Sequence, residues 1–332
     1  MKPMMTSSIP LPIEGNLPSF EGGGPWINSP PLTPAELRGK VVLIDIWNYS
    51  CINWIRQSPY VRAWAEKYKD QGLVVIGVHS PEFAFETNAD NVRQAAKAMG
   101  VTYPIVMDSE HAIWRALENE AWPALYFVDT RGRIRHHYYG EGAYDQAEEI
   151  LQQLLAETGK GTASQTLVTV DPQGVEAPAD WRSLRTPETY VGHERTEMFA
   201  SPGGAKRDKQ AVYSAPERLG LNQWALVGSW TMGAQATVSH DRGAKVAIRF
   251  HARDLHLVMG PKAPGSRVRF RVLLDGRPPG SAHGLDVDGE GNGVVTEPRL
   301  YQLVRQPGSI TDRTFEIEFL DPDVETYSFT FG

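Results

Sequence analysis

An α/β domain followed by an all-β sandwich is the fold this sequence predicts. Three observations carry it. Between Leu37 and Gly159, apolar runs of strand length alternate with helical patterns. From residue 186 onward the helical period vanishes, and short strands with period-two alternation follow one another. Between these regions lies "GKGTASQ", a linker-like stretch. The expected layout is an extended N-terminal arm over 1–34, an α/β domain over 35–159, a linker over 160–185 and a β-sandwich over 186–332.

Residues 1–34 are rich in Pro, Gly and Ser, which favours extended chain and turns. "KVVLIDIW" then reads as a buried strand. "NWIRQSPYVRAWAEKYKDQG" reads as a helix, with Val61, Trp64, Ala65 and Tyr68 on one face and Gly72 beyond its end. "LVVIGVHS" is a second buried strand, and "NADNVRQAAKAMG" a helix closed by Gly100. "YPIVMD" is a short strand and "HAIWRALE" a short helix. "ALYFVDTRGRIRHHYYG" is a hairpin turning at "TRGR", and "DQAEEILQQLLAETG" an amphipathic helix. This order implies parallel pairing first and an antiparallel edge afterwards, with helices on both faces. In the second half, "KVAIRFHA", "LHLVMG", "RVRFRVLLDG", "RLYQLVRQ", "TFEIEFL" and "TYSFTFG" are strands separated by Gly, Pro and Asp clusters.

Composition narrows the function. The charge of −7, from 33 basic and 40 acidic residues, argues against nucleic acid and anionic membranes as partners. Apolar runs are strand-sized, so no segment is expected to insert in a bilayer. The N-terminus lacks an apolar stretch of signal-peptide length; the chain as written reads as cytoplasmic, and as extracytoplasmic if a signal has been removed. A single cysteine, Cys51, excludes an intrachain disulfide and a multi-thiolate metal site; no cofactor or metal is expected.

Cys51 stands where an apolar strand gives way to a helix. Unpaired N–H groups and the helix dipole there favour a thiolate, so its pKa is expected to fall. The competing reading is a small buried hydrophobe. Asp45, in an otherwise apolar strand, is costly unless paired or protonated, which makes it a candidate tuned acid or base. Pro59 falls inside the helix. Trp122–Pro123 precedes a strand, a position suited to a cis bond. His79 ends a strand at the edge where ligands gather in such sheets, with Glu82 just after it. It either orients or deprotonates a thiol or peroxide, or caps the strand as a hydrogen-bonded ring.

Together these residues resemble the thioredoxin superfamily, TlpA-like redoxins in particular. "NSPPLTPAELRGKVVLIDIWNYSCIN", "GLVVIGVHSPEFAFE", "WPALYFVD", "GEGAYD", "RLYQLVRQPG" and "TFEIEFLD" are similar to the soluble region of DipZ-type proteins. That region joins a thioredoxin-like fold to a jelly-roll sandwich like a carbohydrate-binding module. The resemblance implies Cys51 as nucleophile, Asp45 as the buried acid that manages protons, and Pro123 as a cis-proline. It implies a substrate groove drawn from Trp47, Asn53, Trp54, His79, Glu82 and Trp122. The family's Cys-x-x-Cys becomes Cys-x-x-Trp here, at Trp54. With no second thiol to release a mixed disulfide, an outside thiol must do so. The expected function is monothiol chemistry on a disulfide, a glutathione adduct or a peroxide, with a thiol or disulfide protein or a small thiol as partner. Asn48, where peroxiredoxins carry Thr, lowers the peroxide reading. The alternative is a redox-inactive binding protein.

Other signals carry less. "DVDGEGNGVVTE" (286–297) fits a calcium-loop template through Asp286, Asp288, Glu290, Gly291 and Glu297, but lies among strands, so a Gly-rich hairpin is expected. "HHYY" (136–139) reads as edge strand rather than metal site. Trp181, Trp224 and Trp230 are expected in the sandwich core; exposed, they would stack on sugar. Support for the thioredoxin-like half or a homodimer contact is the alternative role for the sandwich.

Overall fold

The computed structural model describes residues 11–159 and 166–332. The chain divides into two compact units, one ending at Glu176 and one running from Ala177 to Gly332. The boundary falls inside the stretch read as a linker, whose residues 160–165 lie outside the described residues, as does 1–10 of the expected arm.

The first unit is built on seven strands: β1 (Gly15–Asn16), β2 (Trp26–Ile27), β3 (Val41–Trp47), β4 (Leu73–His79), β5 (Ile105–Met107), β6 (Ala124–Val128) and β7 (Arg133–Tyr139), in the order β1-β7-β6-β3-β4-β5-β2. β3, β4 and β5 run parallel, and β6 and β7 add antiparallel to them. All seven residues of β3 are buried, as a central strand covered on both faces requires. Among the described residues four α-helices complete the unit: α1 (Ile52–Tyr68), α2 (Ala89–Ala98), α3 (Ala112–Ala116) and α4 (Tyr144–Ala156). Residues 11–34 do run extended, but two short pieces of them close the sheet edges, β1 on β7 and β2 on β5. Paired edges leave fewer orphan backbone groups.

α1 continues through Pro59. A proline there has no N–H to give the Ile55 carbonyl, and Ser58 Oγ donates to that carbonyl instead, at 3.0 Å. At its far end α1 is tied to α4 by Glu148, which accepts from Trp64 Nε1 (3.1 Å), Tyr68 Oη (2.6 Å) and Lys67 Nζ (2.8 Å). Residues 166–176 also belong to this unit. The Val168 N–H donates to Glu148, and Arg62 pairs with Glu176 at 2.8 Å.

The second unit is an antiparallel sandwich with no α-helix among its described residues. Its strands are β8 (Thr189–Tyr190), β9 (Gln210–Tyr213), β10 (Trp224–Met232), β11 (Thr237–Ser239), β12 (Ala244–Phe250), β13 (Asp254–Pro261), β14 (Val268–Leu274), β15 (Asn292–Val295), β16 (Arg299–Arg305), β17 (Arg313–Phe319) and β18 (Val324–Phe331). β10 serves both sheets. Trp224–Val227 pair with β12, whereas Trp230–Met232 pair with β11. The pivot is Gly228, at φ +89°, where a Cβ would lie 3.2 Å from Ala244 Cα. Alternate residues such as Val246, Ile248 and Phe250, beside Phe315, Ile317 and Phe319 on the paired β17, help fill the core.

Trp224 and Trp230 are core, as expected, but Trp181 is 58% exposed, against expectation. In the calcium-like stretch Asp286 is engaged by Arg299 (2.7 Å), and Asp288 accepts from the Asn292 N–H (2.7 Å) at a turn. His137 and His136 both approach Glu14, at 2.7 and 3.9 Å.

Candidate active site around Cys51

The carboxyl ends of β3 and β4 and the start of β6 lie at one edge of the first sheet, because β6 runs antiparallel to β3 with Ile46 opposite Ala124. That edge gathers Cys51, His79, Trp122 and Pro123. Cys51 is the N-cap of α1, with extended backbone (φ −75°, ψ 113°) and a partly exposed side chain. Its carbonyl accepts the Ile55 N–H, the first bond of the helix. The peptide bond between Trp122 and Pro123 is cis, and Trp122 Nε1 donates to the Ser80 carbonyl at 2.9 Å.

Trp54, in the place of a second thiol, has no exposed surface. Its indole stacks on Trp47 with centroids 4.1 Å apart, and its Nε1 donates to Asp45 Oδ2 at 3.0 Å. Tyr103 Oη donates to the same oxygen at 2.9 Å, and Gln57 Nε2 to Oδ1 at 3.3 Å. Burial pushes the Asp45 carboxyl up to about 6, and the three donors hold it from rising further. Gly77 makes room for Trp47: a Cβ there would sit 2.8 Å from the indole nitrogen.

Trp47, Trp54 and His79 are therefore not groove walls in this structure. All three are fully buried beneath the site, because large aromatic area at strand ends is covered by α1 and the neighbouring loops. Asn53, Glu82 and Trp122 keep partial exposure. His79 packs as a ring, edge-on to Trp47 (4.8 Å) and stacked on Tyr49 (5.8 Å). Apart from its own backbone, neither ring nitrogen has a hydrogen-bond partner among the described residues. Burial lowers its pKa to about 3, so the ring is neutral across the physiological range.

Glu86 is the residue that sequence reading missed. It lies on a single 3-10 turn, Ala84–Thr87, and its Oε2 caps that turn by accepting from the Glu82 N–H (2.7 Å) and the Phe83 N–H (3.1 Å). Its Oε1 accepts from Ser50 Oγ (2.7 Å) and the Ser50 N–H (3.3 Å), directly before Cys51. The acid in "PEFAFET", three residues after a turn start, is the signal that could have revealed the cap. Nothing local reveals its reach to Ser50. Gln57 and Tyr103 were missed in the same way.

Thiol–disulfide oxidoreductase YkuV of Bacillus subtilis is 34% identical to this chain over 143 residues, 43% of this chain and 95% of that protein. The chain belongs to the thioredoxin-like thiol–disulfide oxidoreductases. The AhpC/TSA family model matches this thioredoxin-like region over residues 17–137, and the model described as "Thioredoxin like C-terminal domain" matches residues 186–332. Protein DipZ of Mycobacterium bovis is 36% identical over 322 residues, 96% of this chain but 43% of its own length. The chain thus spans less than half of that relative. Among solved structures, a thioredoxin-like protein in the oxidised form matches 43% of this chain and 96% of itself, at 33% identity and a TM-score of 0.40. In this region Trp54, three residues after Cys51, donates its Nε1 to the buried Asp45 carboxyl.

Proposed function

We propose that the chain is a monothiol oxidoreductase whose nucleophile is Cys51. The observation that carries this reading is the pairing of a partly exposed Cys51 at the N-cap of α1 with a buried Trp54 at the second position. A helix start stabilises an anion, so the sulfur is best placed as a thiolate. The thiolate attacks one sulfur of a disulfide, forms a mixed disulfide through Cys51 and expels the other sulfur as a thiolate. An external thiolate then attacks the Cys51 sulfur of the mixed disulfide and expels the second substrate sulfur as a thiolate; another external thiolate attacks the external sulfur now bound to Cys51, leaves as the external disulfide, and Cys51 departs as thiolate. Two electrons pass from the external thiols to the substrate. Asp45, close to half-ionised at about pH 6, stores or releases a proton beneath the site. Pro123, with Asn53, Glu82 and Trp122, forms the groove for the substrate chain.

Purified full chain is incubated with glutathione and bis(2-hydroxyethyl) disulfide, and disulfide consumption is followed alongside intact mass. The expected result is glutathione-dependent turnover, a mixed disulfide on Cys51, and loss of both in Cys51→Ser. A mixed disulfide without turnover supports the second reading, a binding protein, which the plugging of the resolving position by Trp54 favours. No adduct at all overturns the proposal.

A further inference from the structure

We propose that Glu86 is a positioning residue for Cys51, acting through Ser50, and that protonation of its carboxylate rearranges the hydrogen bonds of the loop before the nucleophile. The inference rests on the monothiol reading for its consequence in turnover, but on geometry for its substance. Glu86 has no exposed surface. It joins two loops, one after β3 and one after β4, by four hydrogen bonds, from Ser50 Oγ, the Ser50 N–H, the Glu82 N–H and the Phe83 N–H. All four groups donate, so an acceptor-only carboxylate fits them and a carboxylic acid does not.

Of the four, only the Ser50 hydroxyl is able to reverse its role. A protonated Glu86 would donate to Ser50 Oγ, and the hydroxyl hydrogen would turn to Asn48 Oδ1, 3.4 Å away. The proton thus rearranges the Asn48–Ser50 turn, whose Asn48 carbonyl also accepts the Cys51 N–H at 3.4 Å. The backbone N–H groups of Glu82 and Phe83 have no such freedom, so the rearrangement is directed toward the cysteine side.

The surroundings put this event near neutrality. Burial pushes the Glu86 carboxyl up to about 7; Ser50 and the two backbone donors oppose the rise, and the charge of Glu82 adds to it. His79 at the end of β4 is held neutral by burial, and the acid Asp108, which accepts from Ser80 Oγ at 3.0 Å just after β4, brings no positive charge to the loop.

The test is the rate of Cys51 alkylation by iodoacetamide against pH, on the full chain. In the native protein the profile should show two inflections, one for the thiol and one near the Glu86 titration, the second changing the rate severalfold. Ser50→Ala keeps the cap on Glu82 and Phe83 and should leave a single inflection. Glu86→Gln should also leave one, with a lower rate above neutral pH. Glu82→Gln, which removes the neighbouring charge, should move the second inflection to lower pH. Thermal melts identify a variant that fails to fold, and Ser50→Ala then carries the test. If Ser50→Ala retains both inflections, Glu86 is a loop staple without influence on Cys51, and the proposal is overturned. Absent turnover with an intact two-step profile would sink the monothiol reading alone.

Discussion

Trp54 answers a problem that a cysteine at its position would pose differently. A thiol there would face Asp45 as a proton donor to be activated; the indole instead gives Asp45 a permanent hydrogen bond and fills the space against Trp47. Trp54→Cys should therefore have two effects. It should allow a reducible disulfide with Cys51, read as loss of two hydrogens by mass spectrometry after mild oxidation. In the reduced state it should cost about 3 kcal/mol, the scale of emptying a buried aromatic site, read by denaturant unfolding. A variant as stable as the parent would mean that the space collapses around the smaller residue. Asp45→Asn should also destabilise the fold, although it deletes a buried acid. All three partners of Asp45 donate, and an amide offers one accepting oxygen while turning an N–H toward a donor. The expected loss is roughly 1–3 kcal/mol for the unmatched buried groups. Unchanged unfolding midpoints would show that the amide finds another acceptor.

The α1 helix has Cys51 at its N-cap and a proline in its middle, and the proline has a local remedy. The carbonyl that Pro59 leaves without a backbone donor is taken by Ser58 Oγ, which also accepts from Arg62 at 3.0 Å. Ser58→Ala removes both interactions from a buried position and should cost about 1–2 kcal/mol. Alkylation of Cys51 at fixed pH should barely change, because the lesion lies two turns away. A large drop in alkylation would show that the proline region sets the geometry of the helix start. Four-fold anchoring of Glu148 by Trp64, Lys67, Tyr68 and the Val168 N–H fixes the opposite end of the same helix. The helix that Cys51 caps is thus anchored through its middle and at its far end, as the proposed nucleophile would require.

At the scale of the folded chain, three buried ionisable groups at one sheet edge make stability depend on pH in opposing ways. Burial pushes Asp45 and Glu86 up to about 6 and about 7 in the fold, from ordinary values of 3.8 and 4.5. Between each pair of values the folded state keeps a proton that the unfolded chain has lost, so both groups lower stability as pH rises through those windows. His79 titrates at about 3 when folded and 6.5 when not. Below 6.5 the unfolded chain gains a proton that the folded ring refuses, so stability falls as pH falls. Each group contributes a slope of about 1.4 kcal/mol per pH unit within its window. His79 therefore cancels one carboxylate between its own two values. In His79→Phe the cancellation is lost, and melting temperature should rise more steeply on acidification from pH 7 to pH 5 than in the native chain. Parallel curves for the two proteins would mean that His79 is charged or solvated in the fold.

Local periodicity made much of this molecule legible from its residues alone. Apolar β3 and β4, the one-sided α4 and the period-two runs of β12, β14 and β17 each bury a face on their own pattern, so the α/β unit and the sandwich could be read in order. The sequence also determined that Cys51 would open a helix after a strand holding Asp45, with one sulfur and no second thiol. Tertiary structure decided what has no local period. β1 and β2 are two residues each, too short for a pattern, and exist only because β7 and β5 offer open edges. β10 was not legible because Gly228 breaks its alternation where it passes between sheets. Trp47, Trp54 and His79 stand at positions that suggest a groove, yet packing buries all three. The hydrogen bonds that define the site join Asp45 to Tyr103 and Ser50 to Glu86, residues 58 and 36 positions apart. Such pairs satisfy buried polar groups only after the chain has folded, because until then water satisfies them equally well.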